Sequence, residues 1–572
     1  MPLPAIAAPL LFGPAAGASF KVAATVALEY MPAISSVSIG AILVRHAWKS
    51  LPSWVKQDEA FRSLVADETD TNEVLSLSAI IDKIQALVAV GSEKMTEDQS
   101  IMEPSHVHSS LLCYIRLALQ LRERSPKRRD EQYERILSEK GEDDEDDLPR
   151  TAFPGHVQWT DIQQALDFSV WAYDQDTDEL RGKLEAVDFF LVQHTLTANM
   201  PPGHVSHFVA ISPEQRTLLI GVQGTSTLED MLIDCVGRAA TYEMESIPFQ
   251  KGQYSISNED ILVVDDEDSP EDTASSITSS AVEVSQHDGI RIRCHEGILI
   301  AARRLADKVH DIVQQLTSQD DGGVGYKMLL CGHSLGAGVA SLLAILLRSR
   351  FPWLQQNESL HVYSFACPPV LDFEAARACA PFCTTIVNNS DVIPRSSLAN
   401  LRSLVYLLNS VHGAMEEQGL SPIGPSSVMA LLRHLSQGTH GDLLMTEDLV
   451  NEAMDAARDR VDLRDSEHLY IPGRVLLMYE KWDEANAGED KAYMQGDTIA
   501  AAAGGGTEAI SKKDGNEVHV KSPTLVHVCL TNGIAKPLRF IEIDGGRMVT
   551  DHTTVSYYNS VNALALLYQS GV

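Results

Sequence analysis

Cysteine pairs and positive charge are scarce in this 572-residue chain. Its eight cysteines are scattered and form no Cys-x-x-Cys pair, which excludes a dense disulfide framework of the secreted kind and favours reduced core thiols in an intracellular protein. Lysine and arginine number 45 against 79 aspartates and glutamates, for a net charge of -34. Because such a field repels polyanions, a nucleic-acid partner is not expected.

A long uninterrupted apolar run is also absent from the N-terminal residues. Residues 1–47 carry three formal charges, but prolines, among them Pro2, Pro4, Pro14 and Pro32, break the apolar stretches, so no clean span of about 20 apolar residues results. Three interpretations stay open: a buried or disordered arm, a membrane-contacting segment and a targeting peptide. We predict an intracellular protein, cytoplasmic or peripherally associated with a membrane.

The chain divides by composition into two predicted regions. Residues 1–150 read as a mostly helical N-terminal extension with an apolar arm and a charged linker, in which residues 109–124 have helical spacing. Residues 151–572 read as one catalytic domain with three insertions, at about 257–287, 409–466 and 484–523. The first and third insertions are too polar or too poor in large apolar side chains to form a core.

The second region alternates apolar runs with helical patterns. Strands are predicted at His207 to Ile211, Thr217 to Val222, Tyr326 to Cys331, His361 to Ala366, Thr384 to Val387, Leu469 to Met478, Leu525 to Leu530 and Leu538 to Ile543. Helical segments lie between several of them. The alternation predicts an α/β fold with a mainly parallel central sheet.

Gly332-His-Ser-Leu-Gly336 is the one Gly-x-Ser-x-Gly pattern in the chain. An apolar β-type run precedes it and a helical pattern follows, which is the setting of a nucleophile elbow in the α/β-hydrolase fold. The glycines permit the sharp turn and the close approach of neighbouring backbone. We therefore predict Ser334 to be a nucleophile; the alternative is a glycine-rich helix start in another α/β protein.

A serine nucleophile needs a general base and a carboxylate that orients the base, in the chain order Ser, acid, His. Asp391 follows a predicted strand, at the edge where open α/β sheets form their sites; the alternative is a turn aspartate before Pro394. His552 is the favoured base because it lies in a loop before an apolar terminal helix, and His468 is its rival. The other histidines after Asp391 are His412, His434, His440 and His527.

An oxyanion hole needs two backbone N–H donors. One belongs to the residue after the nucleophile, Leu335. Thr225, in the Gly-Thr-Ser-Thr turn that follows the strand ending at Val222, is the predicted second donor, and its hydroxyl adds a hydrogen bond. The alternative is a plain Gly-Thr turn.

Six ordered motifs resemble those of the class 3 lipases, and more closely those of sn-1-specific diacylglycerol lipases. They begin at Gly224, Cys294, Gly332, Ser390, Tyr470 and Met548, and read GTSTLEDMLID, CHEG, GHSLGAG, SDVIPR, YIPGR and MVTDH. They run in family order across about residues 160 to 570.

The resemblance implies the triad Ser334, Asp391 and His552, with Thr225 and Leu335 in the oxyanion hole. It also implies a lid at about Leu228 to Ile247 and a structural strand behind His468. The chain departs from the family at Gln223, where relatives usually carry arginine. Residues 1–47 do not resemble the four-span region of animal diacylglycerol lipases.

Three functions remain open at this stage. The first is a serine lipase that hydrolyses a glycerolipid ester, diacylglycerol at sn-1, at a membrane or lipid-droplet surface through an acyl-serine intermediate. The second is a phospholipase A1 or another carboxylesterase with the same triad, since substrate choice lies in the pocket and lid. The third is a non-catalytic lipase-like interaction protein. No cofactor and no metal ion are predicted, and protein partners are unknown.

Overall fold

The computed structural model describes residues 104–124, 159–196, 204–225, 239–243, 291–318, 325–356, 358–420, 430, 431, 434, 441–460, 468–480, 526–532, 538–541 and 547–569. The predicted apolar arm, the charged linker, and the first and third insertions lie outside these residues. So does the predicted lid, except for residues 239–243.

A twisted sheet of eight strands forms the centre of the described part of the chain. Its strands are β1 (Phe190–Thr195), β2 (His207–Ser212), β3 (Thr217–Val222), β6 (Lys327–His333), β7 (Leu360–Phe365), β8 (Cys383–Asn388), β9 (Arg474–Glu480) and β10 (Val526–Asn532). A separate antiparallel pair is formed by β4 (Ala239–Glu243) and β5 (Arg291–His295). The spatial order is β1-β2-β3-β6-β7-β8-β9-β10. The five middle strands are parallel, and β1, β2 and β10 run antiparallel to their neighbours. The fold is the predicted α/β-hydrolase fold with a mainly parallel sheet.

Helices cover both faces of the sheet. They are α1 (Pro104–Arg124), α2 (Trp159–Trp171), α3 (Thr177–Glu185), α4 (Glu296–Thr317), α5 (Leu335–Arg350), α6 (Phe373–Ala378), α7 (Leu398–Glu417), α8 (Glu447–Asp459), α9 (Arg547–Thr550) and α10 (Thr554–Gln569). Capping side chains define several of their starts, since Asp176, Ser397 and Thr446 each accept a hydrogen bond from an amide of the first turn. Among the described helices, none is long and apolar enough to cross a membrane.

Three apolar clusters account for the packing that positions the site. Alternation along β3 places Ile220 and Val222 in a cluster with α4 and α5 on one face, and Leu219 in a cluster with α2 and α10 on the other. The third cluster, which we call the helical cluster, is formed by α1, α7 and α8 together with Val392, Ile393, Phe540, Ile541 and Met548 of α9. Helix α1 therefore packs against the same helices as the segment that carries His552.

The observed strands agree with the sequence prediction except at the C-terminal side. The β2–β3 hairpin is confirmed, and β6, β7, β8 and β10 match within two residues. Strand β9 begins at Arg474 rather than at Leu469, because Pro472 lacks an N–H and Gly473 has φ 79°. The predicted strand from Leu538 is wrong for its described residues, where 538–541 form a tight turn. Strands β1, β4 and β5 were not predicted.

Candidate active site

Ser334 occupies a strained turn between a strand and a helix. Strand β6 ends at His333 and α5 begins at Leu335, so a single residue makes the connection. The backbone of Ser334 has φ 61° and ψ -131°, a positive-φ conformation that costs a non-glycine residue on the order of 1–3 kcal/mol. This is the strand–turn–helix geometry of a nucleophile elbow, at the carboxyl end of the parallel strands.

Two glycines make room for this turn. A Cβ atom on Gly332 would lie 2.5 Å from the carbonyl carbon and oxygen of Gly336. A Cβ atom on Gly336 would lie 2.3 Å from the carbonyl oxygen of Val222. Any side chain at either position would therefore push α5 away from the ends of β3 and β6.

Asp391 lies in the turn that follows β8 and is fully buried. Its Oδ1 and Oδ2 atoms lie 2.9 and 3.1 Å from Nδ1 of His552. The backbone N–H of Ile393 donates to Oδ1 at 2.9 Å, and the hydroxyl of Tyr557 donates to Oδ2 at 2.8 Å. Burial opposes ionisation, but the charge of His552 and these hydrogen bonds outweigh it and hold the pKa of Asp391 below its ordinary value.

His552 lies between α9 and α10, directly beside the nucleophile elbow. Its backbone carbonyl accepts a hydrogen bond from Nε2 of His333 at 2.9 Å, and the two imidazole centroids are 4.8 Å apart. Because Nδ1 of His552 donates to Asp391, the lone pair of the neutral ring is on Nε2. That nitrogen is the one able to take a proton from a neighbouring hydroxyl.

Gly224 brings the loop after β3 against the elbow. A Cβ atom on Gly224 would lie 2.6 Å from the carbonyl oxygen of His333 and 3.2 Å from Cβ of Ser334. The next residue, Thr225, has a buried hydroxyl oxygen without a hydrogen-bond partner in the described part of the chain. Leu335 lies in the first turn of α5, where amides lack an intrahelical acceptor. The two predicted oxyanion-hole residues therefore adjoin the elbow, since Thr225 follows Gly224 and Leu335 follows Ser334.

The other histidines after Asp391 that the structure describes have partners elsewhere. The ring of His468 stacks on Tyr470 with centroids 4.4 Å apart, and its Nδ1 lies 3.2 Å from the Tyr470 hydroxyl. Nε2 of His434 contacts the guanidinium of Arg116 in α1, and Nε2 of His412 lies 3.5 Å from Oε1 of Glu416. Asp391 is in contact with His552 and not with the rival His468. His440 and the side chain of His527 lie outside the described residues.

Several residues that hold Asp391 in place were not predicted from the sequence. Tyr557 reaches the Asp391 carboxylate from the second turn of α10, and nothing in its local pattern indicates that contact. Arg395 is fully buried, and its guanidinium donates to the backbone oxygens of Asn389 and Asp391 at 2.7 and 2.8 Å. Asp551 accepts from the backbone N–H of Ser390 at 3.0 Å. Arg395 and Asp551 belong to motifs that the sequence singled out, whereas Tyr557 does not.

Comparison with known protein families supports the resemblance seen in the motifs. The family profile described as lipase (class 3) matches residues 264–401. Diacylglycerol lipase-alpha of Homo sapiens is 29% identical over 140 residues, and diacylglycerol lipase-beta of Mus musculus is 26% identical over 198 residues. These alignments cover 23% and 34% of this chain. The chain spans only 13% and 22% of the length of those two proteins.

Two solved structures to which the chain is similar are also named as lipases. The mono- and diacylglycerol lipase from Aspergillus oryzae is 15% identical, with a TM-score of 0.28, and the alignment covers 42% of this chain and 74% of that one. The triacylglyceride lipase of Rhizomucor miehei is 16% identical, with a TM-score of 0.29, over 42% and 75% of the two chains. The predicted similarity to class 3 lipases, and among them to diacylglycerol lipases, is confirmed by the family profile and the curated relatives.

Proposed function

We propose that this protein is a serine hydrolase of carboxylic esters in which Ser334 is the nucleophile, His552 the general base and Asp391 the residue that orients the base. The observation that carries the proposal is the buried Asp391–His552 hydrogen bond, at 2.9 Å, beside a serine held at φ 61°. A serine at a positive φ is a local strain that an ordinary helix start does not need. Together with a hydrogen-bonded acid–base pair it supports a catalytic rather than a structural serine.

The first half of the reaction transfers the acyl group to the enzyme. Nε2 of His552 takes the proton of Ser334 Oγ while that oxygen bonds to the ester carbonyl carbon. The backbone N–H groups of Thr225 and Leu335 donate to the oxyanion of the tetrahedral intermediate, and the Thr225 hydroxyl adds a third donor. The intermediate collapses as the ester C–O bond breaks, and Nε2 gives its proton to the departing alcohol oxygen.

The second half releases the acid product. A water molecule gives a proton to Nε2 of His552 as its oxygen attacks the acyl-serine carbonyl carbon. The bond to Ser334 Oγ then breaks, and the proton returns from Nε2 to that oxygen. Asp391 stays ionised throughout and stabilises the imidazolium, which is consistent with its lowered pKa.

The substrate we propose is a glycerolipid, diacylglycerol cleaved at sn-1, presented at a membrane or lipid-droplet surface. The support is the similarity to proteins named diacylglycerol lipases and the ordered motifs around the site. A phospholipase A1 or another carboxylesterase would use the same residues, because the acyl-transfer chemistry is shared. We further propose that the protein is intracellular and works in the cytoplasm or at a membrane surface.

A substrate panel tests the proposal. The purified full chain would be assayed against monoacylglycerol, triacylglycerol, phosphatidylcholine and diacylglycerol, the last labelled separately in its sn-1 and sn-2 chains. Ser334→Ala provides the matched control. We expect the sn-1 acid from diacylglycerol to be released fastest and Ser334→Ala to release none. Preferred cleavage of phosphatidylcholine would reassign the substrate, and equal activity of wild type and Ser334→Ala would remove the serine-hydrolase mechanism.

A further inference from the structure

His333 is a buried histidine next to the nucleophile that the proposed mechanism does not use. It is 4% exposed, and it packs against two residues of the acid–base machinery. Its ring centroid is 4.8 Å from that of His552 and 5.7 Å, edge to face, from that of Tyr557. A polar ring enclosed in this way needs hydrogen-bond partners for both nitrogens.

The partners of His333 define its tautomer. Nε2 lies 2.9 Å from the backbone carbonyl oxygen of His552. A carbonyl can only accept, so Nε2 carries the hydrogen atom. Burial and the nearby His552 lower the pKa of His333 to about 3, so the ring is neutral at working pH and Nδ1 is an acceptor. The hydroxyl of Tyr173 lies 3.3 Å from that Nδ1 and 3.5 Å from the backbone oxygen of His333, and it donates to the nearer acceptor, Nδ1.

Tyr173 brings these hydrogen bonds up against the oxyanion loop. Its ring lies beyond the end of α2, and its hydroxyl oxygen packs against Gly224. A Cβ atom on Gly224 would lie 2.5 Å from that hydroxyl oxygen, which shows how closely the loop approaches. Burial raises the pKa of Tyr173, so the phenol keeps its proton and can donate to His333.

We propose that Tyr173 and His333 are positioning residues that tie the oxyanion loop to the loop carrying the catalytic base. The two hydrogen bonds run in one direction, from the Tyr173 hydroxyl to His333 and from His333 to the His552 carbonyl. The Tyr173 hydroxyl packs against Gly224, which directly precedes Thr225, and His552 carries the last acceptor. The inference rests on the proposed function, because it assigns both ends of the chain to the acyl-transfer site.

The series of hydrogen bonds keeps one arrangement because His333 is held in one tautomer. If the proton moved from Nε2 to Nδ1, the lone pair of Nε2 would face the His552 carbonyl oxygen, and that hydrogen bond would be lost in a buried site. Unpaired polar groups in such sites are costly. The Tyr173 hydroxyl supports the Nε2–H tautomer by donating to Nδ1. The oxyanion donor and the base thus keep one relative position before substrate arrives, as preorganised catalysis requires.

A pair of tyrosine variants separates positioning from general packing. Tyr173→Phe removes the hydroxyl and keeps the ring. Tyr558→Phe removes a hydroxyl that donates to Asp167 at 2.6 Å, at the contact between α10 and α2 and outside the chain described above. We expect Tyr173→Phe to lower kcat on an ester substrate by about tenfold, with KM within twofold, and Tyr558→Phe to change neither. Equal kcat values for the two variants would overturn the proposal.

Two amide replacements of His333 test the direction of the chain. The amide nitrogen of glutamine reaches the place of Nε2, whereas that of asparagine reaches only the place of Nδ1. We expect His333→Gln to keep several-fold more kcat than His333→Asn, both values being corrected for the fraction of folded protein by circular dichroism. An equal loss in both variants would contradict a donor to the His552 carbonyl.

A measurement without catalysis separates this inference from the proposed function. In protein labelled with ¹⁵N-histidine, the resonance that disappears in His333→Gln identifies His333. We expect an Nε2–H tautomer in wild type and an altered Nδ1 shift in Tyr173→Phe. An inactive wild type with this signature would reject the hydrolase assignment but leave the proposed hydrogen bonds intact. An Nδ1–H tautomer in an active enzyme would reject the proposed hydrogen bonds alone.

Discussion

The site is made of two halves that are held together differently. The nucleophile half, residues 222–225 and 332–336, lies in the α/β core, where backbone from β3, β6 and α5 meets at distances that only glycine allows. The acid–base half, residues 388–395 and 547–557, consists of two segments far apart in sequence. Hydrogen bonds join these segments directly, since Ser390 N–H donates to Asp551 and Val392 N–H donates to the Met548 oxygen at 3.1 Å.

The acid–base half rests on helices rather than on the sheet alone. Val392, Ile393 and Met548 belong to the helical cluster, together with Leu117 of α1. Arg116 on the same helix also contacts His434 and the backbone oxygen of Asp442. Ser334 is therefore placed by local chain geometry, whereas Asp391 and His552 depend on packing that reaches helix α1.

The largest expected effect comes from removing the base. His552→Ala should lower kcat by roughly 10⁴ to 10⁶, because loss of a triad member leaves only the oxyanion hole and substrate binding to accelerate the reaction. His468→Ala is the matched control, since that ring stacks on Tyr470, and it should keep most of the activity. If His468→Ala were the inactive variant instead, the acid–base half would have been assigned to the wrong loop.

Next in size is the loss of packing under the acid–base half. Leu117 is fully buried, and Leu117→Ala should lower the free energy of unfolding by about 2–5 kcal/mol because it leaves a cavity. Leu449→Ala makes the same deletion at a side chain that is 50% exposed, and we expect little change. Urea unfolding followed by tryptophan fluorescence measures both. Similar unfolding midpoints for the two variants would show that α1 does not support this half.

A substitution in the nucleophile half gives a smaller stability change with a larger effect on the site. The added Cβ of Gly336→Ala would lie 2.3 Å from the Val222 oxygen and 2.9 Å from Gly224 N, so the variant should be destabilised by about 1–3 kcal/mol through overpacking and displacement of the oxyanion loop.

Gly413 supplies the control for this prediction. It lies within α7 and has nothing within 4 Å of its added Cβ, so Gly413→Ala should be neutral or stabilising by about 0.5–1 kcal/mol. Thermal unfolding and ester hydrolysis would be measured for both variants. An active and undestabilised Gly336→Ala would contradict the tight contact between β3 and α5.

The smallest expected effect of a single substitution is a change in the pH dependence of stability, which comes from buried histidines. Burial lowers the pKa of His333 to about 3 and those of His207 and His434 to about 4. Between these lowered values and the unfolded-state value of 6.5, each binds a proton only when the chain unfolds, so stability falls with falling pH by about 1.4 kcal/mol per unit for each group. His207→Gln should therefore make the dependence shallower between pH 6.5 and 5 in urea unfolding. An identical slope in wild type and variant would remove His207 from this account.

The difference between the halves also explains what the sequence could predict. The elbow was readable because its glycines, its strand and its helix are contiguous, so the chemistry and the fold leave one local pattern around Ser334. The predicted strands β2, β3, β6, β7 and β8 follow the same logic, since their apolar runs are short and bounded by turns. Edge strand β1 escaped prediction because only one face is covered, and Phe190 and Val192 are exposed.

The supports of the acid and base could not be read in this way. Tyr557 and Arg395 are polar residues whose partners come from another segment, and no periodicity connects Tyr557 with Asp391. The choice of His552 over His468 depended on loop position and on the family resemblance, and the structure adds the distance to Asp391. Residues 538–541 were mistaken for part of a strand because three of the four are apolar, yet Leu538 and Phe540 are buried in different clusters.

The most direct test of the central claim is covalent labelling with a fluorophosphonate, followed by peptide mapping of the full-length protein. If Ser334 is a nucleophile activated by His552 and Asp391, the wild type should carry one adduct, on Ser334. Ser334→Ala should carry none, and His552→Ala and Asp391→Asn should label at least a hundredfold more slowly, because proton removal from the hydroxyl is lost or the wrong tautomer is held. An adduct on a different residue, or undiminished labelling in Ser334→Ala, would contradict the assignment.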